Sequence, residues 1–310
     1  MELIRQGARL RVLNEVAIRG SFSVGADALS MSQSAVSQHI AALETALGVQ
    51  LVERATRPAQ LTEAGSALAR HVRSVIARLD NAEQEIAEIA HRRHGRLRFG
   101  SFPTALATFV PRVLARFQQR EPDVSLTVID DHLQRLLPRL HDGQLDLAVV
   151  YDHDAVPIPA AEDLDLVHLL NDAYRVVLPS GHRLSRSGRS IALTDLRGEN
   201  WIGGGPSSTW FRIVRHSCNE LGFDPRVALI SDDYRAVQAF AAADLGVAVV
   251  PGLAATAALR GVEVRKIRNV VPTRRIWAAR ARDSFPTPAT VAMIEMLQAA
   301  TRDDAAGGRR

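Results

Sequence analysis

Hydrophobic positions in the first sixty residues recur at helical spacing and break at glycines. Leu3, Leu10, Leu13, Val16 and Ala17 fall along one face of a first helix, which Gly20 ends. Ser21 or Ser23 is placed to cap a short second helix through Ala26, Ala28 and Leu29, and Met31-Ser32 makes a tight turn. Ser32 then caps a third helix running to about Leu47, with Gly48 as its stop. Val36, Ile40, Leu43 and Leu47 form the inward stripe of that helix. Its other face carries Gln33, Ser34, Ser37 and Gln38, all short, neutral and able to hydrogen-bond.

From Thr62 to about His91 the chain reads as one uninterrupted helix, about 45 Å long at 1.5 Å per residue. Leu68, Val72, Val75, Leu79, Ala82, Ile86 and Ile89 alternate steps of four and three. That narrow seam predicts a coiled coil between two copies of the chain. His91-Arg92-Arg93-His94-Gly95 ends the helix; its two histidines have no third metal ligand nearby, and the basic charge suits a helix C-terminus.

After Gly95 the period changes. Candidate strands are 97–101, 124–130, 146–151, 174–179, 227–231, 246–250, 262–267 and 275–281. Helical stretches at 104–120, 132–142, 208–221, 233–244 and 288–301 separate many of them, which predicts an α/β fold with mostly parallel sheets.

Composition adds limits rather than direction. The chain has 310 residues, 46% hydrophobic and 23% charged, enough for two or three folded domains. It has no apolar run of membrane-helix length and no apolar stretch of a secretion signal, so no membrane partner and a cytoplasmic placement are expected. The single Cys218 excludes an intrachain disulfide and any multi-cysteine metal site. A net charge of +4 and a pI near 9.9 permit a nucleic-acid partner. The head itself is nearly neutral, however, with six arginines against five acidic residues in positions 1–62. Any DNA affinity must therefore rest on a few placed groups. Gln and Ser in the first turns of an exposed helix suit base edges in a major groove.

The run SQSAVSQHIAALETALGVQLVER followed by LTEAG resembles the winged helix-turn-helix of the LysR-type transcriptional regulators. The matching elements, in order, are Ser32-Gln33, Ser37, Leu43-Glu44, Leu47-Gly48, Arg54 and Leu61-Thr62-Glu63-Ala64-Gly65. Many relatives carry Pro where Ser34 stands and Arg where Gln38 stands, a difference that bears on which operator is read. The resemblance implies a DNA-binding surface of Ser32, Gln33, Ser34, Ser37, Gln38 and Arg54, with Arg57 at the wing tip. Two heads on a dimeric or tetrameric protein would read a partial palindrome in double-stranded promoter DNA.

The remaining chain is similar to the family's effector domain, a two-lobed fold of the type 2 periplasmic-binding-protein kind. GRLRFGSFPTALATFVPRVLARFQQREPDVSLTVID, GQLDLAVVYD, YRVVLPSGHRL and DLGVAVVPGLAA carry that likeness. The expected organisation is a winged helix-turn-helix at 1–61, a linker and dimerisation helix at 62–91, and an effector domain at 96–310. One lobe comprises about 96–163 plus 270–303, the other about 164–269. A small-molecule effector belongs at strand ends facing helix N-termini. Ser101, Phe102 and Thr104 form one such junction, and Gly205, Pro206, Ser207, Ser208 and Thr209 another. Asp131-His132 and Asp232-Asp233 begin two more helices beside the cleft. Hydroxyls and helix N-termini favour a carboxylate, inward acids favour an amine, and an amino acid satisfies both. Asp152-His153-Asp154 reads as a polar loop rather than a metal site.

No cofactor or metal is expected, and the common hydrolase, zinc-protease and phosphate-loop motifs are absent. The chain therefore reads as a regulator and not an enzyme. The alternative is a solute-binding protein of a transport system, which shares the effector fold but carries an export signal and no helix-turn-helix.

Overall fold

The computed structural model describes residues 2–53, 60–89, 95–185, 190–282, 284 and 286–307. The chain divides into two compact units, residues 1–94 with 138–144, and residues 95–137 with 145–310.

The first unit begins with α1 (Glu2–Arg5), α2 (Gly7–Arg19), α3 (Phe22–Ala28) and α4 (Gln33–Leu47). Ser21 caps α3 through the Val24 N–H, and Ser32 caps α4 through the Ala35 N–H at 3.2 Å. Gly48 ends α4 in the left-handed region at φ 68°, where its N–H reaches the Glu44 carbonyl. Val12, Leu13, Val16, Val36, Ile40 and Leu43 bury together with Leu51 and Val52. The two-stranded β1 (Val52–Glu53) and β2 (Gln60–Leu61) pair antiparallel, and α5 (Glu63–Ile89) follows.

One sequence motif has a clear mechanical reason. Thr62 accepts the Gly65 N–H at 3.0 Å as the start of α5, while its hydroxyl donates to the Gln50 carbonyl at 2.8 Å. A Cβ on Gly65 would sit 2.0 Å from the Leu51 carbonyl oxygen, so only glycine lets the helix pass so close.

The second unit contains β3 (Arg96–Ser101), α6 (Pro103–Leu106), α7 (Val110–Arg120), β4 (Ser125–Asp130), the start of α8 (Leu133–His141, whose residues from Pro138 belong to the first unit), β5 (Leu147–Asp152), β6 (Leu164–Ala173) and β7 (Arg175–Pro179). It continues with β8 (Ile191–Ala192), β9 (Trp201–Gly203), α9 (Thr209–Glu220), β10 (Val227–Ile230), α10 (Tyr234–Ala242), β11 (Ala248–Val250), β12 (Val262–Arg268), β13 (Thr273–Ala281) and α11 (Pro288–Gly307). One lobe is built on a sheet in the order β4-β3-β5-β13-β6, the other on β11-β7-β12-β8 beside the β10-β9 pair.

Four expectations change here. The sheets are mixed, not mostly parallel: β13 runs antiparallel to both β5 and β6, and β7 is antiparallel to β11 and β12. β6 was absent from the expected strands, because a bulge in its pairing between Ile276 and Trp277 breaks the alternation that marks a strand. Its pairing with β13 places residues 164–173 in the first lobe's sheet, so the lobe boundary lies at Ala173–Tyr174, not at 163–164. The expected helix at 104–120 is two helices, with Pro111 setting the first turn of α7.

The two chain crossings lie side by side. Ala173 pairs with Thr273, and the Tyr174 N–H donates to the Pro272 carbonyl at 2.9 Å. Beneath them Leu97, Phe99 and 147–150 are fully buried in one lobe, and Tyr174, Val176 and Trp201 in the other.

Candidate functional site

In the first unit, Ser32, Gln33, Ser34, Ser37 and Gln38 are all exposed at the start of α4. The Ser32 hydroxyl is committed to the cap and lies 2.9 Å from Ser34 Oγ, which leaves Gln33, Ser37 and Gln38 as the outward hydrogen-bonding set. Glu44, in the last turn of α4, is buried. Its Oε1 accepts the N–H groups of Leu51 (2.8 Å) and Val52 (3.2 Å). That carboxylate locks the angle between α4 and the β1 strand, and so fixes how the outward face is presented. Arg54 and Arg57 lie outside the described residues.

The expected seam on α5 divides. Leu68 packs against the head core and Val72 is buried, so these two positions are taken up within the chain. Val75, Leu79 and Ile86 are 54%, 61% and 67% exposed, and Ala82 is exposed as well. For Ile89 only the backbone is described.

In the second unit a cavity of about 720 Å³ opens between the lobes. Phe102, Pro103, Thr104, His132, Gln134, Arg135, Tyr151 and Arg274 line it from the first lobe and its crossing strand. Ser207, Ser208, Thr209, Trp210, Asp232, Asp233 and Tyr234 line it from the second. Of the expected effector contacts, Phe102, Thr104, His132, Ser207, Ser208, Thr209 and Asp232 are therefore assembled in one place. Ser101 is not among them: it is fully buried behind the wall, its hydroxyl turned to the Phe102 carbonyl. Asp131 also stays outside the lining and accepts the His132 N–H at 2.9 Å. Gly205 and Pro206 lie off the lining, because the chain turns there toward Asp232 before α9 begins.

Thr209, the first residue of α9, bridges the lobes. Its oxygen accepts Gln134 Nε2 at 2.7 Å. Ser208 makes no capping bond, and its buried Oγ has no partner among the described residues. The first N–H groups of α9 are thus left without a side-chain cap at the cavity edge, where they favour an acceptor group. Trp210 Nε1 donates to Asp232 Oδ1 at 3.0 Å, and the Trp210 ring meets Tyr234.

The back wall is Arg274, unforeseen by the sequence reading. Its guanidinium is 1% exposed and lies over the Phe102 and Tyr151 rings, 4.8 and 4.6 Å from their centroids. It donates to Thr104 Oγ1 at 2.7 Å and to Asp172 Oδ2 at 2.9 Å. Burial is the largest single influence and works against this charge, but Asp172 together with Tyr174, Tyr234 and Tyr151 holds the guanidinium above its ordinary range. Burial also raises the hydroxyls of Tyr151, Tyr174 and Tyr234, so all three stay protonated donors. One signal for Arg274 was present: in TRRIWAARA it shares the inward face of the strand with Ile276 and Ala278, where a charge requires a buried partner.

Asp152 and Asp154 are held by Arg275, and no group of three metal-ligating residues occurs among the described residues. No helix of the described residues is long and apolar enough to cross a membrane.

Comparison with known proteins agrees with both halves. The model of the LysR substrate binding domain matches residues 90–302, and that of the bacterial regulatory helix-turn-helix protein, lysR family, matches residues 8–66. A probable hydrogen peroxide-inducible genes activator of Mycobacterium xenopi is 37% identical over 178 residues, 57% of this chain and 92% of that protein. A hydrogen-peroxide-bound OxyR mutant of Corynebacterium glutamicum is similar at 26% identity and a TM-score of 0.60, over 97% of this chain and 95% of that one. Full-length CbnR in complex with its target DNA shares the fold at 20% identity and a TM-score of 0.64, over 95% and 99% of the two chains.

Proposed function

The chain belongs to the LysR family of transcription regulators, and from that premise we propose that α4 faces promoter DNA while the inter-lobe cavity takes the effector. The transport alternative has no support, since the helix-turn-helix model matches residues 8–66. Gln33, Ser37 and Gln38 are the base-reading set, backed by an apolar stripe and aimed by Glu44. The exposed Val75, Leu79, Ala82 and Ile86 are the pairing surface of a dimer. Placement in the cytoplasm fits a protein that reaches chromosomal DNA.

The observation that carries the effector reading is the cavity itself, lined from both lobes and bridged at Thr209. Four aromatic rings, the Thr104 hydroxyl and the uncapped start of α9 suit a small molecule with a flat apolar body and an acceptor group such as a carboxylate. Asp232 would hold an amine if the effector has one.

Peroxide chemistry does not transfer from the Mycobacterium relative. The one cysteine, Cys218, is fully buried and its thiol is pushed up to about 12, whereas peroxide sensing by a thiol needs an accessible thiolate. Hydrogen peroxide should leave DNA affinity unchanged and Cys218 unoxidised by mass spectrometry.

A thermal-shift screen of metabolites against the full chain tests the cavity reading. A compound that stabilises the wild type should lose its effect in Thr104→Ala and Ser207→Ala. Stabilisation that survives both substitutions places the effector elsewhere.

A further inference from the structure

Arg274 touches more than the cavity. Its partner Asp172 lies on β6 one residue before the crossing to the second lobe, and Arg274 lies on β13 one residue inside the return crossing. The second carboxylate oxygen of Asp172 accepts the N–H of Leu253 at 3.0 Å. Leu253 sits in a 3-10 turn, Gly252–Ala255, that follows β11 of the second lobe. A single buried path therefore runs from Thr104 on the cavity wall, through Arg274 and Asp172 on the two hinge strands, to the backbone of the other lobe.

Two properties make this path sensitive. With 1% and 4% of their side chains exposed, Arg274 and Asp172 receive no compensation from water, so each depends on the partners it has. The planar guanidinium also holds Thr104 on α6 and Asp172 on β6 at once in a fixed fork, and its bond to Asp172 ties the two hinge strands together. An acceptor group arriving at Thr104 enters the field of Arg274 and draws it away from Asp172.

We propose that Arg274 is the positioning residue through which occupancy of the cavity sets the angle between the lobes, with Asp172 as its relay to the hinge. This rests on the reading of the cavity as the effector site. Signal transmission then needs no long-range wire, only a shift in the balance of one buried cation between two acceptors.

The test measures lobe geometry directly. Spin labels at Arg116→Cys on α7 and Glu220→Cys on α9, both exposed, report the inter-lobe distance by pulsed electron resonance in the full chain, diluted with unlabelled protein. Cys218, being buried, stays unlabelled. Arg274→Lys keeps the charge but not the fork, and Asp172→Asn keeps the shape but not the charge. Each should displace or broaden the distance distribution, and Thr104→Val, a change confined to the cavity wall, should displace it in the same sense. Val113→Ala, which opens the core of α7 away from the path, should leave it unchanged. Should Arg274→Lys not fold, Asp172→Asn and Thr104→Val decide alone. Unaltered distributions in the folded variants overturn the proposal, as does an equal shift in Val113→Ala. A shift with Arg274→Lys but none with Thr104→Val overturns it too, reducing the pair to a hinge clamp. A metabolite screen that finds no ligand would remove the effector reading and leave these distances standing.

Discussion

The two functional surfaces of this protein are built on opposite principles. The surface proposed to face DNA is an exposed row of neutral side chains on one helix, all within six positions of Ser32. The cavity is a buried set drawn from several strands and helices, and its central hydrogen bonds join residues 102 and 170 positions apart. In the head, folding energy and function are separated: Val36, Ile40 and Leu43 hold the fold, and Gln33, Ser37 and Gln38 are left outside it. In the sensor the same residues do both. Arg274 closes the cavity, joins the hinge strands and must be compensated by Asp172 to exist there at all.

All three tryptophans, Trp201, Trp210 and Trp277, lie in the sensing unit, so their fluorescence follows its unfolding while far-UV dichroism follows the whole chain. The contrast is broken most severely by Arg274→Met. It strands the Asp172 carboxylate without its cation, at a cost of about 3–5 kcal/mol. The tryptophan midpoint in urea should fall sharply. An unchanged midpoint would mean that the pair carries no weight in the sensor.

Glu44→Ala is the corresponding blow to the head. The N–H groups of Leu51 and Val52 lose their acceptor, a loss of roughly 2–4 kcal/mol for two orphaned donors. An early transition should appear in dichroism with the tryptophan midpoint untouched, and specific DNA binding should weaken with it. A shift of the tryptophan signal by the same amount would contradict separate folding of the two units.

What the sequence disclosed follows the same division. The head was legible because its signals are local: a cap at Ser32, a stripe at helical spacing and a glycine stop all lie within about one turn of what they determine. Strand-to-helix junctions likewise marked Phe102, Thr104 and Ser207–Thr209 without any knowledge of what stands opposite. Tyr151, Gln134 and Arg274 stayed hidden because nothing near them in the chain states which residue they meet. The β6 strand was concealed by its own bulge, and with it the position of the hinge. The seam on α5 is periodic in the sequence, but period alone does not tell a partner copy from the chain's own head, which claims Leu68.

Ser37 and Gln38 are proposed to read bases from a surface whose fold does not depend on them. A fluorescence-anisotropy titration of the full chain on its promoter fragment and on a shuffled duplex, comparing wild type with Ser37→Ala and Gln38→Ala, measures this. The expected result is a loss of about 1–3 kcal/mol on the promoter fragment alone, with affinity for shuffled DNA and the unfolding midpoints preserved. An equal loss on both duplexes, or none on either, would contradict it.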